Sequence, residues 1–360
     1  MSSILKKIIQ FIIFLGLGVG LMYWIYINQV KTYNVYCTIH NIPDSECNLL
    51  DKLWHDLLSI NLIYTFLIFV AFFLSNYFRS LRWRMMLSSI GYNVHAINSM
   101  GSILVGYLAN LGLPRSGEFI RPALLTRYEK VPLTITVGTV ALDRIIDLIS
   151  MAFIILIAIF TQYKTFVQLY YDHLSQIPLF QQLILPAMGL LFLIILVVTR
   201  NIWKHWHLIQ TFRNKTRGFL DGLLSIRNIE NKSLFLLYTA MIWLWFFVMM
   251  YCALKSFGPT SQVPISTALI IYVFGSMGML VPTPGGMGSY HYLVILALSY
   301  FSINEIDAFS FANISFFSAN FANNIVLGLS GLMIMHFYNK KKRKLQTTEL
   351  NSSTELIINS

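Results

Sequence analysis

Three charged residues interrupt a long apolar run near the middle of the chain. Asp143, Arg144 and Asp147 lie within residues 134–160, and helical spacing lets Arg144 pair with either aspartate. A charge at mid-bilayer costs about 2.5 to 3.5 kcal/mol on insertion scales, so charges kept there usually have a function. One arginine against two aspartates leaves a negative charge over, which would attract a cation, a proton or a further arginine. The alternative is a structural ion pair that satisfies itself.

Two other apolar segments are each broken at their centre by Pro and Gly. One covers residues 97–130 and breaks at "LPRSGE" (113–118), and the other covers residues 265–301 and breaks at "PTPGGMG" (282–288). Proline interrupts the helical hydrogen-bond ladder, and the arms on either side are short for a full crossing. The pattern predicts two hairpins, which are either re-entrant or made of short helices.

The first break carries charge and the second carries almost none. Arg115, Glu118 and Arg121 at the first break could contact a substrate or Asp143 and its neighbours, or could lie only at the membrane interface. The glycines of the second break let backbone approach a ligand closely, and His291 beside it could sense protons or simply be hydrogen-bonded. Free N–H groups at the start of each second arm would attract anions such as phosphate.

Three amides share one side of the last long apolar run. Asn320, Asn323 and Asn324 follow the i, i+3, i+4 spacing of a helix. Such amides either line a polar cavity or bond across packed membrane helices, and the sequence leaves both interpretations open.

The elements that must position these residues are membrane helices. The chain of 360 residues is 56% apolar, 15% aromatic and only 11% charged, with a mean hydropathy of +0.64, far from the norm of soluble domains. We expect one all-α polytopic membrane domain over residues 1–337 and a disordered, basic and then polar cytoplasmic tail over 338–360. Six apolar runs are long enough to cross roughly 30 Å of hydrocarbon. They cover residues 8–27, 60–78, 134–160, 183–199, 234–254 and 310–337.

The basic residues predict the orientation of these spans. With both termini inside, the outer loops hold only Lys31, Lys52, Lys164 and Lys255, and Arg144 lies in the membrane, which leaves 21 of the 26 Lys and Arg residues inside. This follows the positive-inside rule. The first run lacks a small-residue cleavage site, so we interpret it as an uncleaved span.

The two hairpins form an inverted pair under this topology. Three crossings separate them, so they would enter from opposite membrane faces within repeats of about 60–160 and 234–337. Inverted repeats with Gly/Pro-interrupted segments are typical of alternating-access transporters, which bind substrate near the midplane. Non-helical backbone at that depth must be buried in protein or line a wet cavity.

Other classes of function have little support. The net charge of +11 could suggest a nucleic-acid binder, but the basic residues cluster beside apolar runs. We find no metal-ligand spacing, nucleotide loop or serine nucleophile motif, and expect no cofactor, metal or catalytic residue. Cys37 and Cys47 could pair on an oxidising face, although their spacing alone does not decide this.

The motifs "LANLGLPRSGEFIRPALL", "ALDRIIDL" and "VPTPGGMGSYH" resemble those of the flippase-like, lysylphosphatidylglycerol-synthetase transmembrane family. That family includes the membrane half of the multiple peptide resistance factor. The resemblance covers nearly the whole chain and implies a lipid flippase fold without the soluble synthetase domain. This chain departs from relatives at His291, where Glu is usual soon after the Pro-Gly-Gly-x-Gly loop, and at Asp143, where Glu is common. The positions matching the family pattern are Asn110, Pro114, Arg115, Gly117, Glu118, Arg121, Arg144, Asp147, Pro284, Gly285, Gly286 and Gly288.

Together these observations predict a flippase of a bacterial cytoplasmic membrane. The substrate would be a phospholipid or a polyprenyl-phosphate-linked lipid, and the partners would be membrane lipids, a possible lipid-modifying enzyme and no nucleic acid. One alternative is an accessory subunit or transferase in aminoacyl-phospholipid or glycolipid synthesis, and another is a small-solute or ion transporter. The lipid, the energy source and the oligomeric state stay open. The candidate substrate-binding residues are Asn110, Arg115, Gly117, Glu118, Arg121, Asp143, Arg144, Asp147, Pro284, Gly285, Gly286, Gly288, His291, Asn320 and Asn324.

Overall fold

A computed structural model describes residues 3–39, 42–43, 47–112, 115–163, 167, 217–281, 283 and 286–358. Every regular element in these ranges is a helix, so the predicted all-α class is confirmed. A π-helical segment, Phe316–Ala322, joins the last two helices without a break. The α-helices are α1 Ser3–Ile39, α2 Leu49–Leu58, α3 Leu62–Ser88, α4 Ala96–Gly112, α5 Gly117–Glu129, α6 Leu133–Thr161, α7 Arg217–Leu223, α8 Lys232–Ser256, α9 Ile265–Leu280, α10 Ser289–Tyr300, α11 Glu305–Ser315 and α12 Asn323–Ile358.

Four helices in the described part of the chain are long and apolar enough to cross a membrane. They are α3, α6, α8 and the continuous run Glu305–Lys342, and they correspond to the runs predicted over residues 60–78, 134–160, 234–254 and 310–337. The predicted span 8–27 falls inside α1. The predicted span 183–199 lies outside the described residues. The number of six spans therefore stays a prediction.

Helix α3 continues well past the apolar run that predicted it. It begins where the Asn61 side chain accepts hydrogen bonds from the backbone N–H groups of Ile63 and Tyr64, and it ends at Ser88 rather than near residue 78. The predicted end was wrong because Arg79 and Arg82 are not flanking loop charges. Both are buried in the fold, where carboxylates on α6 balance them.

Helices α3 and α8 pack against each other in antiparallel directions. The Asn61 N–H donates to the Ser256 carbonyl at 2.8 Å, and the Ser75 hydroxyl donates to the Ile242 carbonyl at 3.0 Å. At the other end of α3, Ser89 donates to the carbonyl of Ser225, shortly before α8 begins. The start of each helix therefore lies beside the end of the other.

Two helical hairpins follow this antiparallel pair. The first hairpin, α4–α5, comes after the end of α3, and the second hairpin, α9–α10, comes after the end of α8. Since α3 and α8 are antiparallel, the hairpin bases lie at opposite ends of the pair. The packing is reciprocal: α4 contacts α12, the last helix of the second half, and α9 contacts α6, the last helix of the first half.

Small residues allow these helices to approach closely. A Cβ atom on Gly117 would lie 2.2 Å from the carbonyl oxygen of Gly106, so the arms of the first hairpin touch backbone to backbone. In the second hairpin a Cβ on Gly278 would lie 2.6 Å from the Cα of Tyr290. Each hairpin therefore depends on glycine to keep its two arms together.

A separate group of contacts ties α1 and α2 to the rest of the protein near the start of α3. The structure joins Cys37 and Cys47 by a disulfide. The Lys52 ammonium lies 2.7 Å from Asp56 and 3.2 Å from Asp307 at the start of α11. We call these contacts the α2 clamp.

Candidate functional site: a buried charge cluster at the first hairpin

Two arginines of α3 and two aspartates of α6 form the centre of the site. Arg79 Nη1 lies 3.1 Å from Asp143 Oδ2 and 2.6 Å from Asp147 Oδ2. Arg82 Nη2 contacts Asp143 Oδ1 at 2.5 Å and Asp147 Oδ1 at 2.7 Å. All four residues are buried, so each charge relies on the others in place of water.

The first hairpin adds a third arginine to this centre. Arg121 Nη1 donates to Asp143 Oδ2 at 2.9 Å. The Arg121 guanidinium carbon lies 3.9 Å from the ring centre of Trp83, a cation–π contact. Trp83 is itself fixed, because its Nε1–H donates to Thr139 Oγ1 at 2.9 Å. Asp143 thus forms ion pairs with three arginines from two different helices.

Arg144 and Glu118 form the outer part of the site. Arg144 Nε lies 3.2 Å from Glu118 Oε1, and its Nη1 lies 3.7 Å from Asp147 Oδ2. The Arg144 side chain is 39% exposed and that of Glu118 33% exposed, in contrast to the buried centre. This pair can therefore exchange partners at a lower cost than the buried pairs can.

The surplus negative charge of α6 is met by further arginines, one of the outcomes expected from the sequence, and the site as a whole has the opposite charge balance. The sequence suggested one arginine against two aspartates, but the ion pairs join four arginines to three carboxylates. We call these seven residues the central cluster: Arg79, Arg82, Arg121, Arg144, Glu118, Asp143 and Asp147. The cluster carries one positive charge in excess when all its members are ionised, so it favours an anion over a cation.

Sequence reasoning missed Arg79 and Arg82. They follow the apolar run of α3 directly, which is also where the positive-inside rule places membrane-flanking charges. Their spacing of three residues put both on one side of a helix, and α6 offered two aspartates without enough basic partners. Those two signals together could have indicated the pairing.

Asn110 and Gly117 hold the first break together. Asn110 Oδ1 accepts a hydrogen bond from the Gly117 N–H at 2.7 Å. The next three N–H groups of α5 donate to the carbonyls of Arg115 and Ser116. The expectation that this helix start offers free N–H groups to an anion was therefore wrong, because the loop itself occupies them.

The tips of the two hairpins touch. Arg115 has a left-handed backbone with φ of 59°, and its Nη2 donates to the carbonyl of Leu280 at 3.1 Å. Leu280 is the last residue of α9, so this bond joins the first break to the second. Leu113 and Pro114 lie outside the described residues.

The second break is a compact turn without charge. Gly286 and Gly288 have φ of 80° and 84°, which a residue with a side chain rarely adopts. The Ser289 hydroxyl donates to the carbonyl of Gly278 at 2.7 Å, linking the two arms. The predicted residues Pro284 and Gly285 lie outside the described residues.

The remaining candidates that the structure describes take no part in the central cluster's ion pairs. His291 is buried, its Nδ1 accepts the Gly288 N–H at 3.4 Å, and its ring centre lies 4.7 Å from that of Phe316. Asn320 is half-buried in the π-helical segment, a kind of distortion found often at functional sites. The Oδ1 atoms of Asn323 and Asn324 are buried without a hydrogen-bond partner.

A small pocket opens where the first hairpin meets the central cluster. It covers about 230 Å³ when the open solvent in front of it is included, and little of this is enclosed. Four of the predicted site residues line it, and they offer both charged and backbone groups. The lining residues are Ile103, Gly106, Tyr107, Asn110, Gly117, Arg121 and Arg144.

Long apolar helices arranged around buried charges define a polytopic helical membrane protein. A family model described as the lysylphosphatidylglycerol synthase TM region matches residues 49–328. The chain belongs to this family, and the resemblance drawn from its motifs is confirmed.

One relative is a protein of Methanocaldococcus jannaschii named a UPF0104 membrane protein. It is 24% identical over 280 residues, which cover 71% of this chain and 80% of that protein. No solved structure matches the chain.

Proposed function

We propose that the protein moves an anionic lipid, either a phospholipid or a polyprenyl-phosphate-linked lipid, across a bacterial cytoplasmic membrane. The observation that carries this proposal is the contact of the hairpin tips through Arg115 and Leu280, beside a buried charge cluster. Broken elements that meet within the membrane are the usual place for a transporter's substrate site. The positive excess of the central cluster favours an anionic headgroup over a cation.

The topology proposed for this function has both termini inside and two re-entrant hairpins that enter from opposite faces. The opposite positions of the hairpin bases along the α3–α8 pair support it. The disulfide between Cys37 and Cys47 agrees with it, because disulfides persist on the oxidising side of a membrane. The strong excess of Lys and Arg in the proposed inside segments agrees as well, even without the buried Arg79, Arg82 and Arg121.

In the mechanism we propose, the hairpin tips separate and rejoin as the headgroup passes. The Arg115–Leu280 bond closes the route between the two breaks in the present conformation. Breaking this single hydrogen bond, which has a partly exposed donor, costs far less than disturbing the buried ion pairs. The buried ion pairs of the central cluster would therefore stay assembled while the tips move.

A lipid translocation assay in proteoliposomes tests this function. Fluorescent lipids with phosphate-containing and neutral headgroups are compared in vesicles with and without the protein. We expect transfer of the phosphate-containing lipids, and a rise of up to about tenfold in Arg115→Ala, because the charge-assisted hydrogen bond that closes the route is lost. Arg127→Ala is the matched control, because Arg127 is exposed on the same helix α5 and should retain the full rate.

Two outcomes would contradict the proposal. Vesicles with native protein could transfer no lipid faster than empty vesicles, or cysteine labelling could show residues near the two breaks to be accessible from one face only. Transport of a soluble ion without lipid transfer would favour the small-solute alternative instead.

A second candidate is a role in lipid synthesis, because the family model is described as a region of a synthase. The chain would then act as an accessory subunit or transferase for aminoacyl-phospholipid or glycolipid synthesis. Purified protein that forms a modified lipid from an aminoacyl or sugar donor, without moving lipid between leaflets, would favour this function.

A further inference from the structure

Arg121 has an unused pair of hydrogen-bond donors. Its Nη1 binds Asp143, but its Nε and Nη2 are buried without a hydrogen-bond partner, and the side chain is only 6% exposed. On a planar guanidinium these two N–H groups point in the same direction and form a fork that matches two oxygens of a phosphate or carboxylate. A buried charged donor without a partner is costly, so an empty fork in a built setting indicates a ligand.

The surrounding residues hold this fork in one orientation. Trp83 stacks on the guanidinium face and Asp143 holds the far nitrogen, so the side chain has little freedom left. Binding therefore requires little further ordering of Arg121, which favours affinity.

Arg121 lines the pocket that the first hairpin and the central cluster share. Arg144 lines the same pocket, so a second cation is available to a bound anion. The free space inside the pocket is close to that of a single water molecule, so it admits at most one small group, once Arg144 moves aside, and not a whole lipid. Gly106 and Gly117 contribute no side chains there.

We propose that Arg121 binds one oxyanion side-on through Nε and Nη2, and that Arg144 exchanges Glu118 for the same anion. The chemistry is that of a phosphate group, carried either by a lipid headgroup or by free phosphate. We call the anion-binding position at Arg121 and Arg144 the oxyanion seat. That the phosphate belongs to a lipid rests on the proposed function, whereas the seat itself does not. Glu118 acts as an internal competitor that holds Arg144 while the seat is empty.

Calorimetric titration of the full chain in detergent tests the seat. The probes are dihexanoyl phosphatidic acid, dihexanoylglycerol, which lacks the phosphate, and inorganic phosphate. Of the two lipids, we expect only the phosphatidic acid to bind. Its binding should be at least about tenfold weaker in Arg121→Lys, which keeps the charge but loses the fork. Arg127→Lys, a matched change on the exposed side of α5, should bind like the native protein.

A second variant gives an effect that misfolding cannot produce. Glu118→Gln removes the competing carboxylate beside Arg144, so the affinity for phosphatidic acid should rise on the order of fivefold. A gain in affinity requires a folded site, and it therefore separates the seat from a purely structural role of these charges.

The outcomes distinguish the two sources and the two proposals. Displacement of phosphatidic acid by inorganic phosphate supports a seat that binds the bare oxyanion, and binding without displacement supports a seat that also needs the lipid. Equal affinity of the native protein and Arg121→Lys, or equal binding of dihexanoylglycerol, overturns the seat. Specific binding in a protein that transfers no lipid between leaflets would leave the seat standing and refute the proposed transport function.

Discussion

The central cluster and the α2 clamp both pair basic with acidic side chains, but in different surroundings. Both contain acidic and basic pairs at distances near 2.7 Å. In the cluster the Arg82 and Asp143 side chains are fully buried, whereas Lys52 and Asp56 in the clamp remain about one-fifth exposed. Water can replace a lost partner in the clamp but not in the cluster, so equal substitutions should have very different consequences.

Asp143→Asn should have the largest effect on stability. The variant leaves Arg79, Arg82 and Arg121 without their shared carboxylate, and breaking a buried ion pair costs about 3 to 5 kcal/mol. We expect little folded protein in detergent, measured by thermal unfolding and by the monodisperse fraction on size exclusion. Asp56→Asn in the clamp is the control and should unfold within a few degrees of the native protein. Similar unfolding temperatures for both variants would contradict the comparison.

This first prediction depends on contacts that the sequence revealed only in part. The apolar runs, the Pro/Gly breaks and the charges of α6 follow local rules, and they predicted the all-helical class and both hairpins. Arg79 and Arg82 could not be assigned, because a basic residue after an apolar run satisfies the positive-inside rule equally well as a flanking charge. Only the packing of α3 on α6 shows that the two arginines are buried ion-pair partners rather than flanking charges.

The first break also depends on contacts that the sequence alone does not reveal. The sequence placed Arg115 and Gly117 at the break, and the family pattern added Asn110, but the sequence suggested open N–H groups at the start of α5. Whether such a group is free depends on the fold of the loop. Here Asn110 and two loop carbonyls use the first four N–H groups of α5, so the donors left for a ligand belong to Arg121 instead.

A paired substitution should separate folding from function in the central cluster. Arg79→Met combined with Asp147→Leu removes one charge of each sign and leaves Asp143 with Arg82 and Arg121. Replacing a buried ion pair by apolar residues is often neutral for stability, so the double variant should unfold later than Asp147→Leu alone. Lipid transfer should nevertheless fall at least about tenfold, because a charge-assisted network near the substrate is lost. Full transfer activity would assign this pair to structure only.

Removal of the disulfide should have a moderate effect that stays local to the α2 clamp. Cys37→Ser with Cys47→Ser releases a short loop, and disulfides closing loops of this size contribute on the order of 2 to 3 kcal/mol. We expect faster proteolysis between α1 and α2 with lipid transfer retained, and the same pattern in the native protein after reduction. A loss of lipid transfer in the double variant would show that the clamp is coupled to the hairpins.

The Lys52 contacts should give the smallest effect, and it should depend on pH. Burial lowers the pKa of Lys52, but hydrogen bonds and charges from Asp56 and Asp307 outweigh it, so the pKa is raised above its ordinary value. A basic group with a raised folded-state pKa stabilises the protein fully below its ordinary pKa, and that contribution disappears as pH rises through the folded-state pKa.

Thermal unfolding of the native protein and Lys52→Met over a pH series measures this contribution. Lys52→Met should therefore be less stable than the native protein by no more than about 1 kcal/mol at neutral pH, since the pair is partly exposed. The two proteins should converge in strongly alkaline solution, where the Lys52 charge is lost. A difference that persists there, or that grows with pH, would mean that Lys52 stabilises α2 through the packing of its methylene chain rather than through its charge.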